Sequence, residues 1–435
     1  MGCDTLVALP SATRDGATIF AKNSDRPPRE CQRIVQLPAR TSARGATVRC
    51  QYLEIPDVPG TAAILGSQPW WMWGLEHGVN EHRVAIGNET VFAKETLGPV
   101  GLVGMDLVRL GLERARTASE ALDVITTLVE THGQGGSGHV HLDWPYHNGF
   151  LIADPTSAWI LETSGRHWAA RPVAEVGNVS NGLALGRDWE RAAADVTSFA
   201  VEQGWWPADG GRVDFAAAYA DDSGVPPNVC RARRARAGAL LAEGRRQLTP
   251  AALRTILRDH FDGPVHRRRE FEDEHFFSLC MHADPLDNTT ASMIARLPAD
   301  AAAVATSWIS LGSPCVGAFL PVWAEAALPP ALSYGGRDPD ATSPWWKMRT
   351  LLSAVEHDLA RFGPLVRARW DEFEAGLAAR VMSVEAEAES LRRSGRHDDA
   401  RAVLGACSAA AVATYVERTD TLIAELESLG APHQR

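Results

Sequence analysis

The chain has 435 residues, 45% of them apolar and 22% charged, the composition of a globular protein long enough for a large core and for two or three domains. Its formal net charge of −11 excludes a general nucleic-acid binder, and no apolar run approaches the roughly 20 residues that a membrane-spanning helix needs. The first residues lack a basic segment before a long apolar core, so no signal peptide is expected; seven scattered cysteines, an odd number, read as reduced thiols of a cytoplasmic protein.

The first predicted element carries the most chemistry. Leu6, Val7, Ala8 and Leu9 form a short apolar strand closed by Pro10 and the turn-like Ser11-Ala12-Thr13-Arg14-Asp15-Gly16. Thr18, Ile19, Phe20 and Ala21 return as the second strand of a hairpin, which brings Lys22 and Asp25 back towards Cys3. Loss of Met1 and Gly2 would make Cys3 the first residue, with a free α-amine beside its thiol. A model α-amine titrates at about 8 and a model thiol at about 8.5, so the amine is poised to take the thiol's proton, and one residue then supplies both nucleophile and base. In that arrangement Asp25 holds the α-ammonium, Lys22 stabilises the thiolate and Arg26 positions a carboxylate. Two other readings compete. Met-Gly-Cys can mark dual lipidation, but Leu6 stands where the myristoylation pattern has Ser or Thr. Cys3 can also be an inert, buried strand residue.

Further along, Ala62-Ala63-Ile64-Leu65 and Val84-Ala85-Ile86-Gly87 read as strands, with Asn88 at the end of the second. Residues 102–131 form the first helical region. Gly133 to Gly138 is a loop without the Lys-Ser/Thr ending of a phosphate-binding loop. Gly149 to Asp154 and Ser157 to Glu162 make a second hairpin around Pro155-Thr156, and segments 167–170 and 177–181 continue its sheet, with Asn181 at a strand end. By turn chemistry alone, Asn88 and Asn181 each read as ordinary loop residues. Residues 185–260 are mainly helical, and the basic runs Arg231 to Arg236 and His266 to Arg269 read as solvated faces or ion pairs. Strands return over 278–283, 291–297 and 303–310.

Cys280 and His282 share a strand face, but no second pair has zinc-finger spacing and no His-Glu-x-x-His occurs. His260, His266 and His275 meet only if tertiary folding gathers them. The pair therefore reads as a satisfied core contact near the cleft, and no metal or cofactor is expected. After residue 350 the pattern is helical. Val355, Leu359, Phe362, Val366, Trp370, Phe373, Leu377, Val381 and Val384 recur at steps of three and four. A new helix start is expected at Gly363-Pro364, a turn at Ser394-Gly395-Arg396-His397 and a last helix over 400–429.

Cys3-Asp4-Thr5 and Lys22-Asn23-Ser24-Asp25-Arg26, with Trp71-Met72-Trp73-Gly74, Asn80-Glu81-His82, Gly87-Asn88-Glu89, Leu161-Glu162-Thr163, Val179-Ser180-Asn181, Cys280-Met281-His282, Thr289-Thr290-Ala291-Ser292-Met293 and Ser343-Pro344-Trp345-Trp346-Lys347, occur in an order that resembles the secernin and bacterial dipeptidase A family of cysteine hydrolases. The resemblance covers about residues 3 to 350. More remotely it extends to the choloylglycine hydrolases and penicillin V acylases, which share the N-terminal-nucleophile fold.

Early strands, middle helices and late strands imply a layered α+β class; the resemblance implies a four-layer α-β-β-α sandwich. It assigns Cys3 as nucleophile, Asp25 to the amine, and Asn88 and Asn181 to the oxyanion and hydrogen bonding. It places Lys22 where the acylases carry an arginine, and Arg231 at a later arginine. Gly2 departs from the acylase pattern, since two residues must leave. The expected organisation is a hydrolase domain over 1–350 and a helical hairpin over 351–435, packed on the core or on a second subunit as a homo-oligomer contact. The expected activity is hydrolysis of small peptides, dipeptides above all, with no nucleic-acid or membrane partner. Non-peptide amide hydrolysis, acyl transfer or a non-catalytic interaction role are the alternatives.

Overall fold

The computed structural model describes residues 2–223, 227–261 and 277–431. His266, His275 and the basic run 266–269 lie outside the described residues. The amino-terminal half supplies β1 (Cys3–Ala8), β2 (Thr18–Arg26), β3 (Gln32–Leu37), the short β4 (Arg40–Thr41), β5 (Thr47–Arg49), β6 (Glu54–Pro56) and β7 (Gly60–Thr61), then β8 (Ile64–Pro69), β9 (His77–Asn80) and β10 (Ala85–Val91). Helices α1 (Gly104–Arg114) and α2 (Ala118–His132) precede β11 (His147–Ala153), β12 (Ala158–Ser164), β13 (His167–Pro172), β14 (Val176–Val179) and β15 (Arg191–Ala192). Next come α3 (Val196–Glu202), α4 (Phe215–Tyr219), α5 (Pro227–Glu243) and α6 (Pro250–Leu257). Strands β16 (His282–Ala283), β17 (Asp287–Leu297), β18 (Ser307–Leu311) and β19 (Leu320–Val322) lead to α7 (Pro344–His357), α8 (Leu359–Arg393) and α9 (His397–Ser428).

Two antiparallel sheets form the centre. The seven-stranded sheet runs β14-β1-β2-β17-β18-β19, with β16 pairing β17, and the eight-stranded sheet runs β15-β13-β12-β11-β10-β9-β8-β3. The sheets face each other through β1, β10, β11 and β14; α5 and α6 cover the first, and α1 and α2 cover the second. The expected α-β-β-α layering is therefore present. It arises because each sheet is apolar on both faces. Leu6 and Ala8 pack with Ala237, Leu241 and Leu253 under the helices, while Val7 and Phe20 join the core between the sheets.

Several elements differ from the sequence reading. The helical region over 102–131 is two helices, because Ala115 is extended and Thr117 caps α2 by accepting from the Glu120 N–H. Segments 167–170 and 177–181 do not share a sheet: β13 stays with β12, whereas β14 crosses to pair β1. The strand expected over 278–283 shortens to β16. The long helix starts at Leu359, not at Gly363-Pro364, because Asp358 accepts from the Arg361 N–H as its cap. Pro364 lies in the second turn, so a single intrahelical bond is lost.

The last helices seat on the first sheet. α9 packs on β19, and the Ser408 hydroxyl donates to the Pro321 carbonyl at 2.8 Å. Between α8 and α9 the buried Trp370 stacks on Tyr415, centroids 5.0 Å apart, and meets Phe373 edge-on at 5.8 Å. Trp370→Ala is expected to lower the unfolding free energy by about 3–5 kcal/mol. Trp370→Phe, which keeps the ring stack, should cost much less; urea titration of both variants checks this.

Candidate active site

The site grows from the β1–β2 hairpin. Cys3 lies opposite Ser24, Asp4 opposite Asn23 and Thr5 opposite Lys22, so the side chains of Cys3, Thr5, Lys22, Ser24 and Arg26 share the face towards the second sheet, and those of Asp4, Asn23 and Asp25 share the other. The hairpin read from the sequence thus brings Cys3, Lys22 and Asp25 together. A bulge in the neighbouring β17 completes the second face. Thr289 pairs with Asp25 but Ala291 pairs with Ser24, which leaves Thr290 as the extra residue. Thr289 then donates its hydroxyl to Asp25 Oδ1 at 2.6 Å, while Thr290 Oγ1 accepts from Gln32 Nε2 at 2.7 Å.

Cys3 is buried, and its sulfur accepts from the Asp25 N–H at 3.4 Å. Burial pushes the thiol well above its ordinary range; Lys22 opposes that shift, and Glu76, Asp25 and Glu89 add to it. While Cys3 is joined to Gly2, the sulfur therefore keeps its proton. The Cys3 backbone N–H donates to Asn181 Oδ1 at 2.8 Å. The same oxygen accepts from Arg233 Nη2 at 2.6 Å, and Asn181 Nδ2 donates to the Thr90 carbonyl at 2.8 Å. These partners fix the orientation of the amide, with its oxygen on the Cys3 nitrogen.

Asp25 has one oxygen on Thr289; its other oxygen, Oδ2, is buried with no hydrogen-bond partner among the described residues. A Cβ placed on Gly2 would lie 3.2 Å from that oxygen. Burial raises Asp25 well above the usual carboxylate range; Arg233 opposes this and Asp4 reinforces it. A desolvated carboxyl thus sits beside the residue that precedes Cys3, without a cation from the described residues bonded to its open oxygen.

Lys22 is fully buried and engaged. Its Nζ donates to the Glu76 carbonyl at 2.8 Å and to Glu76 Oε2 at 3.2 Å. Burial alone would lower Lys22, but Cys3, Glu76 and Glu89 outweigh it and raise its pKa. Arg26 meets the other Glu76 oxygen at 3.2 Å and donates to Glu30 Oε1 at 2.6 Å and the Gly138 carbonyl at 2.7 Å. Burial pushes Glu76 up, yet Lys22 and Arg26 more than offset this and leave it below the usual carboxylate range. Glu89 accepts from the Thr5 hydroxyl. Burial, only partly opposed by Lys22, lifts Glu89 to about 8.

Two predicted site residues lie elsewhere. Arg231 is exposed and faces Asp222 at 3.6 Å; the arginine at Cys3 is Arg233. Residues two positions apart on a helix are separated by about 200°, so only one of the pair faces inwards. Arg233 lies with Cys230, Ala237 and Leu241 on the buried side of α5. It donates to the Cys3 carbonyl at 3.2 Å and to Asp4 Oδ2 at 2.5 Å. Asn88 lies in mid-strand rather than at a strand end. Gly87 and Glu89 face β1 and β2, so Asn88 faces α1, where its Nδ2 donates to Asn148 Oδ1 at 3.0 Å and approaches Met105 Sδ at 3.8 Å. Sequence reasoning assigned no role to Asp4, Glu76, Arg233 or Thr289. Asp4 and Thr289 lay within strings already singled out, but Glu76 and Arg233 carry no local signal.

The cleft beside this centre has a volume of ≈ 230 Å³ and is lined by Ser180, Asn181, Cys230, Arg231 and Arg234 among others. Its inner wall includes the Asn181 amide that holds the Cys3 nitrogen, and its lining carries Arg231 and Arg234 together with Asp221 and Asp222. No helix among the described residues is long and apolar enough to cross a membrane.

Paired sheets lie between helical layers, and a buried cysteine opens β1; the family match adds the class, a hydrolase of peptidase type. Residues 2–237 match the model of Peptidase family C69, more than half of the chain, and the protein belongs to that family. A dipeptidase of Bifidobacterium longum is 28% identical over 214 residues, which take in 43% of this chain and 38% of that one; the chain thus matches well under half of that relative's length. Among solved structures, a mutant of the conjugated bile acid hydrolase from Clostridium perfringens is 12% identical with a TM-score of 0.38, over 70% of this chain and 88% of the other. Penicillin V acylase from Agrobacterium tumefaciens is 10% identical with a TM-score of 0.38, over 74% and 86%.

Arg233→Ala would strand the buried Asp4 carboxylate and is expected to cost about 3–5 kcal/mol of unfolding free energy. Arg231→Ala, at an exposed site, should stay within about 0.5 kcal/mol; denaturant curves of the two variants decide. Glu89 gives a pH signature. Its folded-state pKa of about 8 lies above the ordinary 4.5, so across that interval the native state keeps a proton that the unfolded chain releases. Stability should therefore fall as pH rises from about 4.5 through about 8, by at most a few kcal/mol at about 1.4 kcal/mol per pH unit. Glu89→Gln should flatten the decline in Tm measured across that range.

Proposed function

We propose that this protein is a cysteine-type amidohydrolase, a dipeptidase in its main activity, and that Cys3 acts as an amino-terminal nucleophile after Met1 and Gly2 are removed. The observation that carries this reading is the open Asp25 oxygen beside Gly2, together with the Asn181 oxygen already on the Cys3 nitrogen. Cleavage of the Gly2–Cys3 bond turns that nitrogen into an amine that is cationic when protonated. Its acceptors are then in place, and Asp25 gains a counter-charge.

In the reaction the amine takes the Cys3 thiol proton, and Lys22 favours the thiolate. The sulfur attacks the substrate carbonyl, the C–N bond breaks as the ammonium returns the proton to the leaving amine, and a thioester remains. Water then attacks the thioester, gives a proton to the amine, and releases the acid and the thiol. Asn181, held by Arg233 and the Thr90 carbonyl, orients the amine. Arg234, with Arg231 beside Asp222, stands in the cleft lining where the free carboxylate of a short peptide would lie. The 28% identity to a dipeptidase supports the same substrate class.

The test is the intact mass of untagged protein beside a Cys3→Ala control, followed by a panel of dipeptides and acyl amides. A wild-type chain beginning at Cys3, and dipeptide turnover reduced roughly a thousandfold or more in the variant, is the expected result. Full activity from a chain that still carries Gly2 would overturn the amine's role, and turnover of acyl amides alone would replace the peptide substrate.

A further inference from the structure

Outside the nucleophile site, four metal-ligating side chains converge. His260 follows α6, Cys280 and His282 flank Met281 at β16, and Cys315 lies between β18 and β19; one ligand atom from each falls within 4.8 Å of all the others. His282 Nε2 lies 3.6 Å from Cys280 Sγ and 3.1 Å from Cys315 Sγ. Around a tetrahedral zinc, with bonds of about 2.3 Å to sulfur and about 2.0–2.1 Å to nitrogen, neighbouring ligand atoms stand about 3.3–3.8 Å apart. We propose that His260, Cys280, His282 and Cys315 form a structural zinc site.

The surroundings agree with the chemistry. The other ring nitrogen of His282, Nδ1, faces Glu356 Oε1 at 3.3 Å, the outer carboxylate that commonly fixes a metal-bound imidazole. Glu356 is itself held by Asn288 Nδ2 at 3.1 Å and Arg349 Nη2 at 3.2 Å. Two thiols and two imidazoles with no open position make a Cys2His2 set, a composition of closed structural zinc sites and not of catalytic ones. On binding, each sulfur forms a bond to zinc and releases its proton to solvent. Cys315–His282–Glu356 taken alone has the order of a thiol–imidazole–carboxylate relay. Cys280 and His260 arrive at the same point, and a relay has no use for them.

The location gives the site a purpose. Met281, between two of the ligands, donates its N–H to Thr289 Oγ1 at 2.9 Å, and Thr289 donates to Asp25 at 2.6 Å. The metal would brace the segment that positions the Asp25 carboxyl, joining it to the β18–β19 turn and the end of α6. It is a brace and takes no part in bond cleavage. The inference does not depend on Cys3 being a nucleophile.

The full chain, purified without a polyhistidine tag from zinc-supplemented medium, should carry about one zinc per molecule by elemental analysis. Its Cys280 and Cys315 thiols should resist a thiol reagent until a chelator is added. Cobalt(II) should replace the zinc with thiolate charge-transfer and tetrahedral d–d bands. Cys280→Ser and Cys315→Ser should each lower the zinc content by roughly tenfold or more. Metal-free wild-type protein would overturn the proposal. It would do so with a mass deficit of two hydrogens, as a disulfide, or with Cys315 alone readily alkylated, as a relay. Zinc retained undiminished in both variants would overturn it as well.

Discussion

Burying charge between two sheets is the constraint on which the rest of this structure depends. Lys22, Arg26 and Arg233 are withdrawn from water, and each is held by acids that are buried too: Glu76 between Lys22 and Arg26, Glu30 on Arg26, Asp4 on Arg233. Removing one member leaves its partner charged in a low-dielectric interior, which costs far more than an exposed pair contributes. The hairpin, the bulge in β17 and the inward face of α5 are therefore coupled, because each supplies a group whose partner belongs to another element.

The network is also unbalanced. Asp4, Asp25, Glu30, Glu76 and Glu89 surround the three cations, and each keeps one buried oxygen without a hydrogen bond among the described residues. Asp4, Glu30 and Glu76 are ion-paired, whereas Asp25 and Glu89 have no paired cation among the described residues, and Glu89 is lifted to about 8. A protein rarely keeps such groups buried without use. An α-ammonium at Cys3 would arrive beside a buried carboxyl, Asp25, whose ionisation it would favour. In this reading the joined chain is kept inert by the same desolvation that makes the freed amine's position favourable.

How much of this was legible is best judged residue by residue. The hairpin was visible because two apolar runs flank a turn-forming stretch, and its register alone places Lys22 and Asp25 near Cys3. Asn181 was named and lies on the Cys3 nitrogen. Arg231 was named in place of Arg233, because α5 carries arginines at 231, 233, 234 and 236 and only the packing of the helix decides which one turns inwards. Asn88 was read at a strand end; the strand runs on through Val91, and alternation sends its side chain to the opposite face from Glu89. The helix start after Asp358 lay in a capping side chain rather than in the Gly-Pro pair.

The sequence by itself determined the α+β class, the hairpin that opens the chain, the amphipathic carboxy-terminal helices and the family. These rest on local periodicity, turn chemistry and ordered strings, all of which can be read along the chain. The tertiary structure alone decided which sheet β14 joins, which arginine meets Asp4, that Glu76 bridges Lys22 and Arg26, and that His260 and Cys315 meet Cys280 and His282. Each of these pairs groups far apart in sequence, and their closeness follows from how the layers stack, a property that no local pattern encodes.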